Sequence, residues 1–393
     1  MRWSARTQWD LTETPWARHL ARLRAEGAQL WDLTASNPTH CGFRYDLESI
    51  LSPLYAPAAI QYDPDPRGLP LAREAVSLYY REHGAEVDAE QILLTTSTSE
   101  AYSFLFRLLC DPGDQVLIAQ PGYPLFDFLA RLDDVQLVPY ELFYDHGWQL
   151  DPEALRHRIT ARTRAIVVVH PNNPTGHFTP PGERAVLEQL CRQHSLALIV
   201  DEVFLDYGHP GRSGNSFATG EHPVPTFVLS GLSKIAALPQ MKAAWIACFA
   251  QAEAMQRLEV ISDTFLSTST PIQWALPAWL QGRASLQTQI KERLEQNLAT
   301  LDAFIQGQSL VTRLTVDAGW YALLRIPQVQ SDEEVALDLL LRKGVIVHPA
   351  GFFGFDSRGW LVVSLLARPW DFRNGIESVL EQFCGQYRGM SEI

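Results

Sequence analysis

From about Asp88 onward, short runs that are apolar at nearly every position alternate with segments whose apolar residues recur every three or four positions. The runs are QILLTT, DQVLIAQ, VQLVPY, RAIVVVH, LALIVDEV, TFVLSG and AAWIACFA. Strands that are apolar throughout are those covered on both faces, and strands alternating with helices build βαβ units. The pattern therefore predicts an α/β fold with a mainly parallel, seven-stranded sheet between helices. One crossover helix shows its signals in TPPGERAVLEQLCRQHS: Thr179 is placed as N-cap, Pro180 and Pro181 at the helix start, and Leu187, Leu190 and Cys191 on one face.

Near Ala284 the character changes. A long helical stretch, SLQTQIKERLEQNLATLDAFIQ, is followed by the strand WYALLRIP, the helix SDEEVALDLLLRKG and the strands VIVHP and WLVVSLL. These make a smaller α+β domain. The helical segment from Thr14 to Gly27 is expected to join it, because chain termini often lie close together. The expected division is a large domain over 46–283 and a small domain built from 284–393 with an N-terminal arm, 1–45. A length of 393 residues suits two or three domains.

Composition narrows the class. With 46% hydrophobic and 20% charged residues the chain is globular, and no apolar run approaches the roughly 18 residues a membrane span needs. A net charge of −13 disfavours a nucleic-acid partner. Cys41, Cys110, Cys191, Cys248 and Cys384 show no CxxC or His-flanked spacing, so no metal site is expected. The N-terminus, MRWSARTQWD, lacks the apolar centre of a signal peptide, and reduced thiols fit a cytoplasmic protein.

In doubly wound sheets ligands bind at the carboxyl ends of strands, so the polar residues ending the apolar runs carry the chemistry. Asp201 closes LALIVD, where an acid either needs a positive partner or caps the next loop. Asn173 lies in NNPTG, a ligand group or a plain turn. Ser97, Thr98 and Ser99 place hydroxyls and amides at a helix start, which suits either a phosphate or simple capping. Tyr123 in PGYP offers a ring for a planar ligand or for the core. Lys234 in SGLSKIAAL is a surface lysine or a desolvated amine nucleophile. Their order, each at a strand end, decides among these readings.

As an ordered set, ASNPT, YDPDPRGLPLAREA, TTSTSEA, PGYP, NNPTG, DEV and SGLSK resemble the class I and II aminotransferases, pyridoxal phosphate enzymes of fold type I. The resemblance runs over almost the whole chain. It implies that Lys234 forms the internal aldimine, that Asp201 pairs with the pyridinium nitrogen, and that Asn173 bonds the phenolic oxygen while Tyr123 stacks on the ring. It further implies that Ser97, Thr98 and Ser99 hold the phosphate, with Lys242 in the place of a phosphate-binding arginine. Tyr62 is expected to reach the cofactor of a neighbouring subunit, which implies a homodimer with shared active sites. The implied activity moves an amino group from an amino acid to a 2-oxo acid; a lyase, decarboxylase or racemase of the same fold is the alternative.

Departures from the family pattern are informative. Gly231 stands where serine is common three residues before the lysine, and Phe204 where a tyrosine is expected after the aspartate. Val362 occupies the place of the arginine that grips the substrate carboxylate. A buried carboxylate needs a cation, and Arg368, Arg67 and Arg44 are the candidates, Arg368 favoured by its position in SLLARPW.

Overall fold

The computed structural model describes residues 1–355 and 358–384. Its centre is an eight-stranded sheet. In spatial order the strands are Ile92–Thr95, Ala244–Phe249, Thr226–Gly231, Ala197–Asp201, Thr163–Val169, Gln115–Gln120, Gln136–Tyr144 and Trp148–Leu150. Pairings from Thr226–Gly231 to Gln136–Tyr144 are parallel, whereas Ala244–Phe249 runs against both its neighbours and Trp148–Leu150 against its one.

The sequence pattern accounts for seven of these strands. The eighth, Trp148–Leu150, is formed because the nine-residue strand Gln136–Tyr144 turns back on itself through His146, whose φ is 53°. Trp148 and Leu150 are buried and Gln149 is exposed, so this strand has a single alternation and no apolar run to announce it.

Both sheet faces are covered. Leu198 and Val200 pack with Tyr80, Leu190 and Trp245 on one side, while Ala197 and Ile199 pack with Phe104, Phe106 and Leu258 on the other. Successive side chains point to opposite faces, so a strand buried on both sides must be apolar at every position. The crossover helix spans Pro181–His194 and buries Leu187, Leu190 and Cys191, as its pattern predicts. Its N-cap position is Pro180 rather than Thr179. The Thr179 amide instead donates to His170 Nδ1 at 3.1 Å, which holds that residue in the preceding loop.

The second sheet is antiparallel, in the order Thr312–Arg313, Tyr321–Arg325, Trp360–Ser364, His348–Pro349. The helices Ala284–Ile305, Asp332–Lys343 and Pro369–Cys384 pack with it. Ser331 and Glu334 form a capping box at the start of Asp332–Lys343, and Gly344, at φ 66°, ends it. The N-terminal arm joins this part of the molecule. Thr14 caps the helix Pro15–Ala25, Leu20 packs on Leu340 and Ile346, and Trp31–Asp32 pairs in parallel with Val345–Ile346. Ahead of that helix, Arg6 forms an ion pair with Asp134, and Trp9 meets Phe128 edge-on at 5.8 Å. Among the described residues no helix is long and apolar enough to cross a membrane.

Candidate active site

Lys234 follows the strand Thr226–Gly231 on a single helical turn, Leu232–Ile235. Gly231 permits this turn by its lack of a side chain: a Cβ there would lie 2.7 Å from Ala244 Cβ and 2.9 Å from the Ala243 carbonyl oxygen. The Tyr207 hydroxyl donates to the Lys234 carbonyl at 2.7 Å, pinning the backbone. The ammonium lies 4.8 Å from the Trp320 ring centre and 5.6 Å from that of Phe204. Loss of water around it pushes the amine down to about 8, against the pull of the Asp201 charge.

Asp201 ends the neighbouring parallel strand and is 7% exposed. One carboxylate oxygen accepts from the Val203 amide at 3.1 Å and the other from the Tyr102 hydroxyl at 3.2 Å. Burial pushes the carboxyl up to about 6, outweighing these bonds and the nearby Lys234 charge. Tyr102 belongs to the helix Thr98–Leu109, whose N-cap, Ser97, accepts from the Glu100 amide at 3.2 Å. The Glu100 carboxylate turns back to accept from the Thr96 amide and hydroxyl at 2.7 and 3.0 Å. Thr98 and Ser99 open the helix, where backbone amides have no acceptor within the helix.

Asn173 Oδ1 is buried without a hydrogen-bond partner. The adjacent Asn172 donates its amide to the Pro121 carbonyl at 3.4 Å, tying this loop to the one that carries Tyr123. Tyr123 is 43% exposed and its hydroxyl titrates above the usual range, first through burial and then through the Asp201 charge. From the small-domain sheet, Tyr321 approaches Tyr123 and bonds Ser36; burial pushes its hydroxyl up to about 12. Asp201 thus lies within electrostatic reach of both Lys234 and Tyr123.

The other expected residues are exposed, buried in the small-domain core or held by partners of their own. Lys242 is exposed, in a left-handed conformation at φ 51°. Tyr62 is 77% exposed. Val362 is fully buried in the small-domain core. Arg67 is held by Glu90 at 2.6 Å and Glu259 at 3.0 Å. Arg368 is exposed beside Gly42, where a Cβ would come within 3.4 Å of its Nε, and Arg44 is exposed with its backbone amide bound to Gln289.

The arrangement of a desolvated lysine, a buried acid on the adjacent strand and an open ring beside them coincides with a family match: the model for aminotransferase class I and II covers residues 59–369. The chain belongs to that family. It is 30% identical over 394 residues to alanine aminotransferase of Mycobacterium tuberculosis, covering 95% of this chain and 90% of the relative. To aspartate/prephenate aminotransferase of Thermus thermophilus it is 29% identical over 335 residues, covering 84% and 86%. A solved single mutant of Thermus thermophilus aspartate aminotransferase superposes with a TM-score of 0.82 at 27% identity, covering 96% of this chain and 99% of that one. The protein is an aminotransferase, and its cofactor is pyridoxal phosphate.

The residues present fit that group. Among the described residues the buried Asp201 carboxylate has no cation at contact distance, Asn173 Oδ1 has no donor, and the first amides of the helix Thr98–Leu109 have no acceptor within it; a protonated pyridine nitrogen, a ring hydroxyl and a phosphate would suit these three in turn. Sequence reasoning missed Tyr102, Tyr207, Trp320 and Tyr321. Tyr102 has a signal in TSEAYSF, four residues after Thr98 and one turn along the helix.

Proposed function

We propose that this aminotransferase exchanges an amino group between an α-amino acid and a 2-oxo acid, with Lys234 as the covalent attachment point and proton carrier. One observation carries the reading: Lys234, with its amine lowered to about 8, stands beside the buried Asp201 carboxyl, raised to about 6, at the carboxyl ends of adjacent parallel strands. Bound pyridoxal phosphate supplies an electron sink and carries the amino group. Asp201 would accept a hydrogen bond from the protonated pyridine nitrogen, and the bonds from the Val203 amide and the Tyr102 hydroxyl fix its carboxylate's orientation. Asn173 would bond the ring oxygen. Tyr123 would cover the ring, and Ser97, Thr98 and Ser99 would hold the phosphate with Lys242 as an additional cation. The Lys234 amine, lowered to about 8, takes a proton from the substrate Cα and returns it, the general acid–base role a lowered pKa suits.

The same reading makes the protein a cytoplasmic homodimer in which Tyr62 serves the partner's site. The exposed Leu47, Tyr55, Ile60 and Tyr62 favour a covered surface, and five free cysteines favour a reducing compartment. It also divides the chain at 46–283, with separate cores on either side of the sheet and in the smaller part supporting the boundary. Alanine and aspartate, named in the relatives, are the first donors to test. Holoenzyme mixed with one donor and no acceptor should release a stoichiometric 2-oxo acid and change its visible spectrum to that of the aminated cofactor. Release of ammonia instead would establish an elimination and contradict the proposal.

A further inference from the structure

In the small-domain sheet Val362 stands opposite Leu323, and Trp360 stands opposite Arg325. Residues two apart on a strand point to the same side, so Arg325 shares a face with Val362, the position where the expected substrate cation is missing. The Arg325 guanidinium is exposed, lies 5.5 Å from the Trp360 ring centre, and has no carboxylate partner among the described residues. It borders a cavity of about 460 Å³.

The cavity walls are a chain of rings. Tyr144 meets Trp148 at 5.4 Å, Trp148 meets Phe355 at 6.2 Å, and Phe355 meets Trp360 at 5.8 Å. Trp148 is only 7% exposed, and its buried Nε1 has no hydrogen-bond partner. The cavity therefore has two donors with open valence, one of them charged, set among apolar walls. Its acidic lining residue, Glu141, is exposed to solvent. A further wall is formed by Gln120 and Pro121, two residues before Tyr123, and the Pro121 carbonyl accepts from Asn172. The cavity thus shares a wall with the segment that carries Tyr123.

Charge and shape specify the ligand class. A carboxylate on an apolar or aromatic spacer satisfies Arg325 and suits the ring walls. Length follows from the strand: Arg325 lies four residues beyond Tyr321, which approaches Tyr123, a span of roughly 13 Å at about 3.3 Å per residue. The Arg325 side chain covers part of that span, and a long or aryl spacer on the substrate covers the remainder.

We propose that this cavity is a substrate subsite in which Arg325 anchors the distal carboxylate of an amino acid with a long or aryl side chain. The assignment rests on the aminotransferase reading above. The test measures the first half-reaction of the holoenzyme with aspartate, glutamate, 2-aminoadipate, 2-aminooctanoate, 2-aminosuberate, phenylalanine and 4-carboxyphenylalanine. The expected result is that 2-aminosuberate and 4-carboxyphenylalanine exceed 2-aminooctanoate and phenylalanine in kcat/KM by roughly ten- to a hundred-fold, the range of one charge-assisted contact. Arg325→Gln should abolish that preference, and Arg325→Lys should restore part of it. Reaction with phenylalanine but no preference for the distal carboxylate, or a preference surviving in Arg325→Gln, overturns the subsite while leaving the aminotransferase reading intact. Failure of every donor to react overturns both.

Discussion

Lys234 and Asp201 depart from ordinary titration in opposite senses, and both departures come first from burial. The Lys234 amine is charged below about 8, so in cofactor-free protein the rate at which it captures pyridoxal phosphate should rise with pH around a midpoint near 8. A midpoint near 10.5, the value of an exposed lysine, would contradict its desolvation. For Asp201 the folded chain holds its proton up to about pH 6, whereas the unfolded chain releases it near 3.8. The folded state therefore binds more protons between those values, and stability falls as pH rises through this window. Above pH 6 the full penalty, on the order of 3 kcal/mol, remains. Cofactor-free Asp201→Asn should consequently unfold at higher denaturant than cofactor-free wild type at pH 8, with the gap closing toward pH 4, while the turnover of the Asp201→Asn holoenzyme drops by at least tenfold. Equal denaturation midpoints at pH 8 would show that Asp201 is not held at an energetic cost. Both residues were legible in the sequence because Asp201 directly ends an apolar run and Lys234 follows one within SGLSK. Tyr207 and Trp320 were not, since each reaches the site by tertiary packing alone, while Tyr102 is signalled only by its place one turn into the helix that starts at Thr98.

Among the elements, the turn after Thr226–Gly231 is the one whose sequence and geometry most restrict each other. Gly231 departs from the serine common in the family, and the close approach of Ala243 and Ala244 supplies the reason. Its φ of 178° is extended backbone, so the constraint is space rather than conformation. Gly231→Ser must push the antiparallel neighbour away, at a cost of about 1–3 kcal/mol. Chemical denaturation should register that loss, and an unchanged midpoint would show that the neighbour yields freely. The apolar runs made seven strands readable because two-sided burial leaves a continuous signature. Trp148–Leu150 and the proline at the crossover-helix cap left none: one strand is too short for periodicity, and the other boundary depends on where His170 takes the Thr179 amide. Register was likewise hidden, which is why Arg325 went unnoticed as a neighbour on the face of Val362 until the strands were paired.

At the scale of the whole molecule, the N-terminal arm and the exposed apolar segment around Ile60 have different tasks. The arm fastens to the small domain by pairing Trp31–Asp32 with Val345–Ile346 in a separate two-stranded sheet, whereas Tyr55, Ile60 and Tyr62 remain uncovered in one chain. Sedimentation should therefore find a dimer, and Ile60→Asp, which places a charge in that surface, should shift it toward monomer and weaken cofactor retention. A wild-type monomer with full activity would remove Tyr62 from the site. Whether this aminotransferase works through Lys234 is decided by reducing the holoenzyme with borohydride and mapping the pyridoxyl label by peptide mass. One label per chain is expected, on Lys234, and none in Lys234→Ala. A label on Lys242, or undiminished turnover in Lys234→Ala, would contradict that role.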